Sequence, residues 1–193
     1  DLANIYGRTG RPREAEAFLS ADAADLESPF LMQDIDRAVE RLYRVVERKE
    51  KVYLHGDRDV DGVTSAALLD HLLETLGIVH RTHVPSTEDG YGFNEKAAAR
   101  AKECGATLTI TVDCGIRDFD GITAARDDGI DVVVIDHHEP GDTLPPAVAV
   151  VDPKRADCPY PFEGLSACGV AFKFAQAVLL SKDPFFERPV VVF

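Results

Sequence analysis

Three aspartates, Asp57, Asp59 and Asp61, stand within five residues, directly behind the run Val52-Tyr53-Leu54-His55. Carboxylates packed so closely repel one another, and a single helix needs only one cap, so a cation must hold them together. Further along, Asp113 closes the run Thr109-Ile110-Thr111-Val112, Asp136-His137-His138 follows Val132–Ile135, and Asp152 follows Val148–Val151. An aspartate after a strand is an ordinary turn or capping residue, and Asp152, which precedes Pro153, is read that way. The triple acid and the paired histidines ask for more. Imidazole and carboxylate suit Mn²⁺, and Mg²⁺ takes the oxygens, so the pattern predicts a site for two ions, Mn²⁺ or Mg²⁺. Two such ions ~3.5 to 4 Å apart activate a water and neutralise charge on a phosphoryl group during in-line displacement.

The elements that must gather these groups follow from the hydrophobic rhythm. From residue 51 onward short apolar runs alternate with amphipathic stretches, as in a parallel sheet with crossover helices. Strands are expected at Lys51–Leu54, Val79–Val84, Thr107–Val112, Val132–Ile135 and Ala147–Val151. Helices are expected at Val63–Leu76, Asn94–Glu103, Asp118–Asp128 and Gly169–Leu180, with Gly77, Gly105 and Gly129 where C-caps belong. The fold class is therefore α/β, a parallel five-stranded sheet with helices on both faces, preceded by an N-terminal helical segment (Glu14–Leu19, then Met32–Glu47). In such a sheet all strand ends share one edge, where ligands bind in open α/β folds. The expected division is a helical segment over 1–49, a catalytic domain over 50–182, and a linker or the start of another domain over 183–193.

Charge and composition narrow the function classes. Twenty-one Lys and Arg against 34 Asp and Glu leave −13, which argues against a broad basic face for polyanions. Clustered divalent cations would reverse that field locally. The 45% hydrophobic and 28% charged residues describe an ordinary globular chain, so wholesale disorder is excluded. Cys104, Cys114, Cys158 and Cys168 form no C-x-x-C pair, which fits a reducing cytoplasm, and Cys114 is read as a small buried residue. No apolar run is long enough for a membrane span and no signal sequence is visible. The lack of an initiator Met and the apolar end at Phe193 suggest a piece of a longer protein. His71, His80 and His83 are read as surface or core histidines. Gly90-Tyr91-Gly92-Phe93-Asn94 is read either as a turn with an Asn cap or as a phosphate-binding helix start.

The stretch His55-Gly-Asp-Arg-Asp-Val-Asp-Gly-Val-Thr-Ser65, the run Thr111-Val-Asp-Cys-Gly-Ile116 and Asp136-His137-His138 resemble the first three motifs of the DHH phosphoesterases. Asp-Gly-Tyr-Gly-Phe-Asn at 89–94, Asp-Pro-Lys-Arg-Ala-Asp-Cys-Pro-Tyr-Pro-Phe at 152–162 and Gly-Val-Ala-Phe-Lys at 169–173 resemble its RecJ-type branch, which degrades single-stranded DNA from the 5′ end. The resemblance implies that Asp59, Asp61, Asp113 and His137 hold the two metals, with Asp113 bridging, and that His55 is a further ligand. It implies that His138 contacts the scissile phosphate, that Asp57 and Asp136 orient the ligands, and that Ser65 fixes the first-motif turn. The implied partners are single-stranded DNA, a single-strand-binding protein and a helicase, with a monomer acting in the cytoplasm.

Three departures accompany it. The family's fourth-motif aspartate and its associated domain have no counterpart in residues 1–193, which implies weak or absent activity for this stretch alone. The loop Pro85–Asp89 lacks the arginine often found before Gly-Tyr-Gly, and Arg58 replaces an aromatic or small residue. Arg188–Phe193 resembles the opening strand of a DnaQ-like exonuclease, which would place a second nuclease here. Rival readings are a haloacid-dehalogenase-type phosphatase with Asp59 as nucleophile, a DHH oligoribonuclease or cyclic-dinucleotide phosphodiesterase, and a non-catalytic DHH scaffold. The first leaves His137 and His138 idle.

Overall fold

The computed structural model describes residues 26–181, together with Arg8 and Gly10. The helix expected at Glu14–Leu19 and the segment Arg188–Phe193 lie outside the described residues. Five strands, β1 (Lys51–His55), β2 (Val79–His83), β3 (Leu108–Val112), β4 (Asp131–Ile135) and β5 (Ala149–Val151), pair in the order β2-β1-β3-β4-β5. Every pairing is parallel. Among the described residues five α-helices accompany them: α1 (Ile35–Arg48), α2 (Val60–Thr75), α3 (Glu95–Glu103), α4 (Phe119–Asp127) and α5 (Ala167–Leu180).

The side-chain alternation of the strands divides the core into two layers. Val52, Leu54, Leu108, Ile110, Val112, Val133 and Ile135 face α1, α2 and α5. Tyr53, Val132, Val134 and Val150 face the smaller layer built by α3 and α4. The chain thus changes faces after β2, and the strand order reverses between β1 and β3. That reversal is the topological switch point, where neighbouring loops diverge and leave a crevice at the carboxyl ends.

Most boundaries shift by one to three residues from the sequence reading, and three of the shifts have identifiable reasons. Helix α2 begins at Val60 rather than Val63, because Asp59 is its N-cap and accepts the Gly62 N–H at 2.9 Å. Helix α5 begins at Ala167 rather than Gly169, because Ser166 caps it through the Gly169 N–H. Strand β5 is only three residues long, since the Ala147 N–H turns back to the Pro145 carbonyl at 2.8 Å instead of pairing with β4. The connection 139–146 has no helix or strand, and Gly77, Gly105 and Gly129 are left-handed at φ 68°, 72° and 78°, as C-capping glycines must be.

The amphipathic stripe of α1 (Ile35, Ala38, Val39, Leu42, Val45) is buried against the sheet. Beside it, Asp34 accepts the Val150 N–H at 3.3 Å and a 2.8 Å bond from Arg155, whose guanidinium also donates to the Val150 carbonyl. Two side chains therefore occupy the free hydrogen-bonding groups of edge strand β5.

Candidate metal centre

The first motif makes a tight hook. Asp57 is buried after β1, Asp59 caps α2, and Asp61 lies in its first turn. Gly62 closes the hook: a Cβ there would lie 2.4 Å from the Asp57 carbonyl oxygen, so only glycine permits the approach. Ser65 donates to the Asp61 carbonyl at 2.6 Å, securing the same turn. The helix N-terminus favours the negative charges, and its Gly62 N–H holds the Asp59 carboxyl below its usual range.

Asp113 ends β3 in a left-handed conformation, φ 61°, with 1% of its surface exposed. A non-glycine residue pays strain energy for that conformation, and here it turns the carboxylate toward the hook. One oxygen each from Asp57, Asp59 and Asp113 lie within 4.8 Å of one another, and the same holds for ligand atoms of Asp113, His137 and His138. Asp113 belongs to both groups. Burial first, and then the charges of Asp59 and Asp61, push its carboxyl up to about 7.

His137 is oriented toward the same acids. Its Nδ1 is 3.1 Å from the Leu165 carbonyl, which can only accept, so in the neutral ring the proton sits on Nδ1 and Nε2 carries a lone pair. That Nε2 faces Asp113 Oδ1 at 3.2 Å and Asp61 Oδ2 at 3.7 Å. Asp113 Oδ1 is buried without a hydrogen-bond partner. Ligand atoms of His137, Asp113 and Asp61 thus converge, an arrangement that a divalent cation satisfies.

The neighbours are held firmly. Asp136, fully buried, accepts the main-chain N–H groups of Ile116, His137 and His138 and a 2.8 Å bond from His138 Nδ1. That bond, opposed by burial, raises His138 to about 9. Asp61 receives the N–H groups of Ala167 and Cys168 at 2.8 and 2.9 Å. The turn Leu165–Cys168 thereby orients both His137 and Asp61, a role that no sequence motif had marked.

His55 is not brought to the cluster. Strand alternation turns its ring to the α3–α4 side, edge-on to Phe93 and bonded through Nε2 to the Gly92 carbonyl at 3.2 Å. Burial, with the neighbouring His83, lowers it to about 4. Asp152 makes the turn expected of it, accepting the Lys154 N–H at 2.8 Å, yet it is fully buried with Oδ2 unpartnered, which pushes it up to about 7. Cys114 is buried, and burial raises its thiol. In the glycine-rich segment Asn94 caps α3 through the Ala97 N–H, and the Phe93 N–H is taken by Asp118, so the turn reading holds.

Residues 51–189 match the family model described as DHH family, N-terminal domain. The chain belongs to the DHH family. With that, the phosphatase reading built on Asp59 as a nucleophile falls away, and the paired histidines gain a place in the DHH domain. The chain is 42% identical over 166 residues to the single-stranded-DNA-specific exonuclease RecJ of Bacillus subtilis, covering 86% of this chain and 21% of that protein. It is 39% identical to RecJ of Escherichia coli, covering 83% of this chain and 29% of the other. The fold superposes on a crystal structure of exonuclease RecJ bound to manganese with a TM-score of 0.69, at 33% identity, over 76% of this chain and 37% of that one. The chain therefore spans a fifth to a third of the curated relatives' length.

Proposed function

We propose that this DHH domain is the metal-binding part of a 5′-to-3′ single-stranded-DNA exonuclease of the RecJ type, hydrolysing phosphodiesters with two Mn²⁺ or Mg²⁺ ions. The observation that carries the reading is the approach of His137 Nε2 to Asp113 Oδ1 at 3.2 Å, with Asp113 common to the two groups of ligand atoms that each lie within 4.8 Å of one another. The curated relatives named for this activity, and the superposition on a manganese-bound exonuclease, support it.

In this reading Asp113, which belongs to both ligand groups, would help to hold both ions. Asp59, with Asp57 beside it to orient the ligands, would hold one ion, and His137 and Asp61, 3.7 Å apart, would hold the other. The ions when bound neutralise the phosphate and acidify the attacking water. His138, its Nδ1 proton held by Asp136, presents Nε2 to a non-bridging phosphate oxygen. Leu165 keeps His137 in the tautomer a ligand needs, and the Ala167 and Cys168 amides keep the Asp61 carboxylate from collapsing onto its neighbours. His55 takes no part as a ligand here. The same reading carries a monomer that works in the cytoplasm with a single-strand-binding protein and a helicase.

The test is degradation of 5′-labelled single-stranded DNA by the intact protein with Mn²⁺, beside Asp113→Ala. Release of labelled mononucleotide that falls by at least about a hundredfold in the variant supports the reading. Activity confined to small phosphate monoesters or to cyclic dinucleotides would replace it with another phosphoesterase specificity.

A further inference from the structure

A cavity of about 380 Å³ opens beside the metal cluster, between the β3–α4 turn and the end of β4, lined among others by Tyr91, Gly115, Arg117, Asp136 and His138. This is the size of an ordinary small-ligand site, and it shares Asp136 and His138 with the cluster. Apart from His138, Arg117 is the one cationic side chain in its wall.

Arg117 is exposed, but it is not loose. Its Nε donates to the Glu139 carbonyl at 2.8 Å, which fixes the plane of the guanidinium. Its terminal amino groups have no ion pair or hydrogen bond among the described residues. Acids stand nearby with other partners: the Glu139 carboxylate lies 3.4 Å from Lys154, and Asp118 accepts the Phe93 N–H at 2.7 Å. In a chain of charge −13, an anchored guanidinium left unpaired beside such acids contributes little to the fold. Its planar fork matches two oxygens of a phosphate, and its anchoring lowers the entropy lost on binding one.

We infer that Arg117 is a substrate-binding residue, gripping the phosphodiester next to the one hydrolysed. The inference rests on the single-strand nuclease reading and adds a residue to it. A strand whose scissile phosphate lies at His138 passes its neighbouring phosphate into the cavity these two residues share. The contact is to the backbone and carries no base preference.

The test compares the intact wild-type protein with Arg117→Gln and Arg117→Lys, measuring kcat and KM on a single-stranded oligodeoxynucleotide at several salt concentrations, and Mn²⁺ affinity by calorimetry. Arg117→Gln should raise KM about tenfold with kcat changed less than about twofold, and should lower the salt slope of kcat/KM by about one. Arg117→Lys should restore the slope while leaving KM above the wild-type value, because a point charge lacks the fork. Unchanged KM and slope in Arg117→Gln overturn the inference. So does a loss of Mn²⁺ affinity, which would assign Arg117 to the metal site. A wild-type protein that neither binds nor cuts single strands defeats the nuclease reading itself, a result visible without any variant.

Discussion

His137 donates its Nδ1 proton to the main-chain carbonyl of Leu165, 3.1 Å away, and the amides two and three residues on, those of Ala167 and Cys168, hold Asp61. One turn at the start of α5 therefore orients a base from β4 and an acid from α2.

The turn depends on its cap. Ser166→Ala removes the acceptor of the Gly169 N–H, which should cost about 1 kcal/mol of stability by urea denaturation. Because His137 and Asp61 are held by the same turn, Mn²⁺ affinity should fall about tenfold by calorimetry. A variant that loses the stability but keeps the affinity would reduce the turn to a purely structural role.

Asp61→Asn keeps the shape of the side chain but sets an amide donor against the N–H of Ala167 or Cys168. The loss should be about 1 to 3 kcal/mol in the metal-free protein, since a buried donor is left unpaired. Equal stability of variant and wild type in EDTA would mean that water already serves those amides.

Metal should stabilise the fold by linkage: Mn²⁺ at a hundred times its Kd should add about 2.7 kcal/mol, seen as a rise in Tm that EDTA reverses. Asp113→Asn should abolish that rise. Without metal at pH 8 the same variant should be the more stable of the two, because burial and the Asp59 and Asp61 charges disfavour an ionised Asp113. A metal-free Asp113→Asn protein less stable than wild type would contradict this account of the crowding.

The Asp34–Arg155 pair should make the fold acid-sensitive. Burial raises the Asp34 carboxyl, but the Arg155 bond and the Val150 N–H outweigh it and the net direction is downward. The folded state thus binds its proton less readily than the unfolded chain. The stabilisation is complete above the ordinary value of 3.8 and disappears as pH falls through the lower folded value. Asp34→Asn should flatten acid denaturation below pH 4; a profile identical to wild type would show that the pair contributes nothing.

Much of this was legible in the residues. The alternation of apolar runs and capping glycines identified all five strands and the helices between them, because period and turn chemistry are local properties. The acidic run and the paired histidines marked the metal centre, since like charges so close in sequence cannot be far apart in space. Asp152 and His55 were harder. Nothing in the dipeptide Asp152-Pro153 announces complete burial, and the face to which His55 turns is set by where β1 sits in the sheet.

The sequence by itself determined the chemistry available: carboxylates and imidazoles at strand ends, in a chain too acidic to grip a polyanion by its general surface. Tertiary structure alone decided their division of labour. The strand order β2-β1-β3-β4-β5 put Asp57, Asp59 and Asp113 on either side of the switch point, and the packing of α5 on α2 brought Leu165 and two amides to His137 and Asp61. These contacts join residues as many as 107 positions apart, and no local pattern encodes a hydrogen bond to a main-chain group so distant in sequence.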